Sequence, residues 1–256
     1  MTEHPKACLS NPPAQTPENI THRTFHSELV DCEVGYNIYL PPDYADSGAR
    51  YPVVYHLHGY RGNESTDIWP LEKRYRGRAA ITVFANGTAS NGYLDRELPI
   101  ESIILTELIP HIDAQYRTQA TRAGRAISGF SMGGAGAFYY AVEHPEIFGA
   151  VTAYAGTYHH FYHKGSRTVG VAPEKAAEIY ESMMREERYL EEDNILYLVR
   201  RNAEKIRGDL QIELHIGSND ILFCDNEILH LYLNALNIPH VYRIFDGAGH
   251  ELGKIL

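Results

Sequence analysis

Apolar positions along the chain fall into short β-like runs separated by stretches with helical spacing. Residues 25–30 and 36–40 read as strands on either side of 31–35, and Pro41-Pro42-Asp43-Tyr44 stops the second. The pair predicts an antiparallel hairpin at a sheet edge. Residues 51–58, 79–85 and 124–128 are three further β-rich runs. Between the last two, Ile104, Leu105, Leu108 and Ile112 recur at helical spacing within 101–117, with a kink expected at Pro110. A helix over 133–143 ends at His144-Pro145, and a buried strand follows over 148–155. A strand over 210–216, a helix over 226–236 and a strand over 240–245 close the chain. Helices alternating with apolar strands build a mostly parallel, doubly wound α/β sheet covered on both faces.

Two regions break this rhythm. Residues 1–20 carry four prolines and little periodicity, which predicts an extended N-terminal arm ahead of a single α/β domain over 21–256. Within 158–208, two charged amphipathic stretches, 173–187 and 191–206, are longer than a simple crossover needs. They predict a helical insertion, either a wall of a cleft at the sheet's C-terminal edge or a peripheral packing layer.

Composition narrows the function classes. The chain has 256 residues, 44% hydrophobic and 22% charged, and no apolar run approaches the roughly 18 residues of a membrane span. A net charge of −10 argues against a nucleic-acid partner. Cys8, Cys32 and Cys224 fit neither a disulfide framework nor a zinc site, although a Cys8–Cys32 bridge stays open. Met1 to Pro13 has no apolar segment of the secretory kind, so the expectation is a cytoplasmic enzyme, or a secreted one if a leader was removed.

Gly129-Phe130-Ser131-Met132-Gly133-Gly134 follows a strand and opens a helix, the context of a G-x-S-x-G nucleophile elbow. The bland alternative is a glycine-rich turn. Serine needs a positioned base to take its proton. Among 14 histidines, His250 stands out in Asp246-Gly247-Ala248-Gly249-His250, a loop directly after the last strand. The orienting acid should follow the preceding strand, where Gly217-Ser218-Asn219-Asp220 supplies Asp220. Asp225 is the competitor, and a first-turn helix acid is its plainer role. Backbone N–H groups of Met132 and Tyr60 are the expected oxyanion donors, the second from the His58-Gly59-Tyr60-Arg61-Gly62 turn. His58, Trp69, Tyr93, Phe130, Tyr154 and Tyr158 are candidates for lining the substrate site.

Tyr39-Leu40-Pro41-Pro42, Leu57-His58-Gly59, Glu107 to Asp113, Gly129 to Gly134, Gly217 to Asp220 and Gly247 to His250 occur in one order. Together they resemble the esterase family of α/β-hydrolases that includes feruloyl esterases, acetylxylan esterases, the human-type esterase D group and the mycolyltransferases. The resemblance covers residues 36–250. It implies ester hydrolysis at Ser131, His250 and Asp220 without a cofactor, on hydroxycinnamoyl or acetyl esters of plant saccharides. It also implies an aromatic residue and a helix after the histidine. Glu251 to Leu256 stands there instead, which predicts a site open on that side.

Tyr158-His159-His160-Phe161-Tyr162-His163 could suggest metal ligands, but adjacent histidines seldom face one ion, and no metal is expected. An acyltransferase, a peptidase or thioesterase, and a non-catalytic carbohydrate-binding relative remain competing readings. The oligomeric state is not legible in the sequence.

Overall fold

The computed structural model describes residues 9–89, 92–158, 169–185 and 195–256. Eight strands form one sheet: β1 (Ile20–Ser27), β2 (Cys32–Tyr39), β3 (Val53–Leu57), β4 (Ile81–Ala85), β5 (Arg125–Phe130), β6 (Ala150–Tyr154), β7 (Gln211–Gly217) and β8 (Val241–Phe245). Their order is β1-β2-β4-β3-β5-β6-β7-β8. β1 and β2 form an antiparallel hairpin, β2 pairs antiparallel with β4, and every later pairing is parallel. This is the predicted sheet with its hairpin at one edge.

β4 is buried at all five positions because a parallel strand inside such a sheet is covered on both faces. Val83 belongs to the larger core, shared with Phe138 of α4 (Met132–Glu143) and Ile228 of α8 (Phe223–Ala235). Phe84 points the other way, into a smaller core with Tyr75 of α1 (Glu72–Tyr75) and with Leu252 and Ile255. The chain end thus folds back onto the sheet, and the carbonyl of Ile255 lies 2.8 Å from His215 Nδ1.

The strand order reverses around β3. The chain passes from β3 to β4 on one side and then returns to β5 on the other. Loops leaving the C-terminal ends of β3 and β5 therefore diverge, and a crevice at such a switch point is where α/β sheets hold ligands.

Several boundaries differ from expectation. The hairpin strands run 20–27 and 32–39, so the turn occupies 28–31, where Asp31 adopts φ 48°. Val30 extends an apolar run but belongs to this turn. The arm is not free over its described part, since Leu9 is buried, bridges Val34, and accepts a 2.7 Å bond from Gly35 N–H. The irregularity expected at Pro110 is a π-helical turn, Ile103–Leu108, between α2 (Ile100–Ser102) and α3 (Ile109–Gln115). Proline cannot donate to the carbonyl four residues back, and a wider turn moves the hydrogen bonds along by one residue.

In the inserted region, α5 (Ala176–Arg185) packs on α8, and α6 (Ile195–Arg201) packs on α4 and α8. α7 (Ala203–Ile206) follows directly. These helices form a layer against the sheet's own helices. Among the described residues, a 2.7 Å bond from Gly170 N–H to the Ile221 carbonyl reaches the sheet's C-terminal edge. Cys32 and Cys224 are free thiols, and Cys8 lies outside the described residues.

Candidate active site

The turn from β5 into α4 holds Ser131 at φ 56° and ψ −117°, a backbone conformation that few side chains tolerate. The neighbours explain how so sharp a turn closes. A Cβ on Gly129 would lie 2.0 Å from the Gly133 carbonyl oxygen, and one on Gly133 would lie 2.0 Å from that of Leu57. Neither position has room for a side chain. Ser131 N–H donates to the Tyr154 carbonyl at 2.8 Å, tying the elbow to β6. At the head of α4, the Met132 N–H has no partner within the helix and is available to an anion.

The loop after β8 brings His250 to this serine, with Nε2 2.9 Å from Ser131 Oγ. Nδ1 lies 3.0 and 2.9 Å from the two oxygens of Asp220, on the turn after β7. Because the carboxylate only accepts, Nδ1 carries the ring hydrogen and Nε2 is left to accept from the hydroxyl. Asp220 is itself held, accepting from Leu222 N–H at 2.8 Å, and its side chain is fully buried. Asp225 sits instead in the first turn of α8. The Phe130 ring stacks on the imidazole at 4.7 Å between centroids, fixing its plane.

Opposite the serine runs the loop after β3, where a Cβ on Gly59 would come 3.4 Å from Ser131 Cβ. Tyr60 therefore follows immediately beside Ser131. His58 pins this loop: its Nε2 accepts from Gly87 N–H at 3.0 Å, leaving Nδ1–H to donate to the Gly59 carbonyl at 2.9 Å. Burial holds the His58 pKa below its ordinary value of 6.5, keeping the ring neutral and the tautomer fixed.

Comparison with known proteins places this arrangement. The model of the family described as "Putative esterase" matches residues 27–252. The chain belongs to this esterase family. An esterase of Mycobacterium tuberculosis is 31% identical over 144 residues, which cover 52% of this chain and 31% of that protein. An endo-1,4-beta-xylanase/feruloyl esterase of Xylanibacter ruminicola is 32% identical over 152 residues, 51% of this chain and 20% of that protein. The aligned segments thus span a third or less of the length of these relatives. Among solved structures, a ferulic acid esterase superposes with a TM-score of 0.72 at 23% identity, covering 92% of each chain. An S-formylglutathione hydrolase of Agrobacterium tumefaciens gives 0.69 at 20% identity, over 93% and 91% of the two chains. The structural likeness identifies the α/β-hydrolase fold in this family member.

The predicted lining residues divide in two. Trp69 exposes 52% of its surface and Phe130 is half-buried against His250, while Tyr60, expected as an oxyanion donor, exposes 61%. His58, Tyr93, Tyr154 and Tyr158 are buried and anchor their surroundings. Tyr93 donates from its hydroxyl to the His58 carbonyl at 2.9 Å, and Tyr140 does the same to the Tyr93 carbonyl at 2.7 Å. Tyr154 packs edge-on against His215, and Tyr158 edge-on against Phe138. His58 acts on its own loop. Buried aromatics support the loops of the site because a hydroxyl at the tip of an apolar ring can reach a loop carbonyl from within the core.

The proposed histidine cluster lies outside the described residues from 159 onward, and among those described no group of three metal-binding side chains occurs. Nor is any described helix long and apolar enough to cross a membrane. Sequence reading did not single out Glu64, or the chain of Asp67, His56 and Ser128. His56 Nε2 lies 3.0 Å from Asp67 Oδ2 and Nδ1 lies 3.0 Å from Ser128 Oγ, all three buried. The placement of His56 two residues before His58 on an apolar strand was the available signal.

Proposed function

We propose that the protein is a serine carboxylic-ester hydrolase working through an acyl-enzyme at Ser131. The observation that carries this reading is the 2.9 Å contact between His250 Nε2 and a serine held at φ 56° on an elbow. Ser131 Oγ attacks the ester carbonyl as its proton passes to His250 Nε2. Asp220 stabilises the resulting imidazolium through Nδ1. The tetrahedral oxyanion is taken up by the backbone N–H groups of Met132 and Tyr60, donors that together stabilise charge absent from the ground state. Collapse expels the alcohol, which leaves with the proton from His250. Water then repeats the sequence in reverse roles, releasing the acid and the free serine.

The substrates we infer are hydroxycinnamoyl or acetyl esters of plant-derived saccharides. Exposed aromatic surface at Tyr60, and at Trp69 further along the same connection before α1, suits a phenolic acyl ring or a sugar face. The name of the Xylanibacter ruminicola relative, which joins a xylanase to a feruloyl esterase, supports the same class. Hydrolysis of methyl ferulate, p-nitrophenyl acetate and p-nitrophenyl butyrate by the wild type and Ser131→Ala tests both levels. Feruloyl cleavage lost in the variant supports mechanism and substrate. Cleavage of short acyl esters alone keeps the mechanism and moves the substrate to acetylated sugars. Equal inactivity of both proteins on all three esters removes the esterase reading.

A further inference from the structure

Two buried carboxylates, Glu64 and Asp67, lie in the loop between Tyr60 and α1, and the mechanism above gives neither a role. The Glu64 side chain is wholly buried. It accepts from the backbone N–H of Asn11, from Asn11 Nδ2 at 3.2 Å and from Asn86 Nδ2 at 2.7 Å, and His22 Nε2 lies 3.1 Å away. Beside it, Ser65 Oγ donates to the Asn11 carbonyl at 2.5 Å, and Asn37 Nδ2 donates to the Glu64 carbonyl at 3.0 Å. This ties the loop to the arm, to β1, to β2 and to the segment after β4.

Asp67 makes the second tie. As an acceptor only, it fixes the hydrogen of His56 on Nε2, so that Nδ1 accepts from the Ser128 hydroxyl. His56 is on β3 and Ser128 on β5, the strands that deliver the oxyanion loop and the nucleophile. Taking a carboxylate out of water is costly unless donors replace its hydration, so two in one short loop mark a geometry held at expense. An oxyanion donor is useful only if it is fixed before charge develops.

Building on the esterase reading, we propose that Glu64 and Asp67 are positioning residues that clamp loop 59–67 and so fix the Tyr60 N–H, with residues 9–11 of the arm as part of the clamp. Neither residue touches substrate. Their effect passes through the loop backbone, and it is therefore expected in turnover rather than in substrate binding.

The test compares Asp67→Asn, Glu64→Gln and deletion of residues 1–11 with wild type and with Asp46→Asn, an exposed control. Kinetics on p-nitrophenyl acetate are read beside hydrogen exchange of the 59–62 backbone. Losing an oxyanion donor outright costs about 10²–10³ in rate, so loosening one is expected to lower kcat roughly 10- to 100-fold, with KM within about 3-fold and faster exchange at 59–62. Unchanged kcat, or unchanged exchange in that segment, overturns the proposal. If Glu64→Gln does not fold, Ser65→Ala, which removes the bonds to the Asn11 carbonyl and from Asn37 Nδ2 but leaves the buried carboxylate in place, carries the same expectations at smaller size. Failure of the esterase reading is distinguishable, because wild type would then lack Ser131-dependent hydrolysis while exchange at 59–62 still reports on the clamp.

Discussion

The chain contains two Ser–His–Asp relays of nearly equal hydrogen-bond lengths, Ser131–His250–Asp220 at the loop ends and Ser128–His56–Asp67 inside the sheet. They differ in setting. Ser131 stands at positive φ at the head of α4, with the first N–H of the helix beside it and Gly59 across from it. Ser128 lies mid-strand in β5, between ladders to β3 and β6, where backbone N–H groups are committed to neighbouring strands. His250 keeps 27% of its side chain accessible, whereas His56 keeps 1%. The nitrogens are also exchanged: the acid holds Nδ1 of His250 but Nε2 of His56. In the proposed mechanism the three residue types do not by themselves make a nucleophile; the elbow and the nearby donors do.

Removing each serine sharpens this contrast most. Ser131→Ala is expected to lower kcat by about 10⁴-fold or more. Next comes Asp220→Asn, where a side-chain amide favours the wrong His250 tautomer; a fall of about 10³- to 10⁴-fold in kcat with a folded protein is expected. Ser128→Ala should reverse the pattern, changing kcat no more than a few-fold while reducing the unfolding free energy in urea by about 1 kcal/mol. A kcat loss near that of Ser131→Ala would erase the distinction between the relays.

The smallest effect concerns pH. Burial holds His58, His111, His215 and His230 below their ordinary 6.5, so the unfolded chain binds protons that the folded chain does not. Stability should therefore be intact above about pH 6.5 and fall as pH drops below it. His144 opposes this. Burial lowers its pKa, but Glu101 and nearby carboxylates raise it overall, giving a contribution present below 6.5 and lost as pH rises. Among the described residues, four lowered histidines against one raised predict a lower Tm at about pH 5.5 than at pH 7.5, read by calorimetry. An unchanged Tm would show that these burial effects cancel.

Much of the fold was legible because burial on both faces writes itself as nearly continuous apolar runs, as in β4, where Thr82 is the one polar residue. The elbow was legible because Gly129 and Gly133 leave no room for alternatives, and the structure brings Ser131, Asp220 and His250 together as their order suggested. The hairpin turn was displaced because Val30 carries a strand-like side chain in a turn. The burial of Tyr93, Tyr154 and Tyr158 was not legible because their loop or strand-end positions suggest exposure, while packing decides it. The second relay was out of reach for a different reason. Its partners are 11 and 72 residues apart, and only the β3–β5 pairing brings them together.

The most direct measurement is acid-quenched mass spectrometry of the wild type mixed with p-nitrophenyl acetate. Ser128 opens on a cavity of about 360 Å³ on the α1 side of the sheet, so both serines are candidates for modification. The account predicts one acetyl group, located by peptide fragmentation at Ser131 and absent from Ser131→Ala. Turnover with the acetyl group on Ser128, or with no acetyl group on any serine, would contradict it.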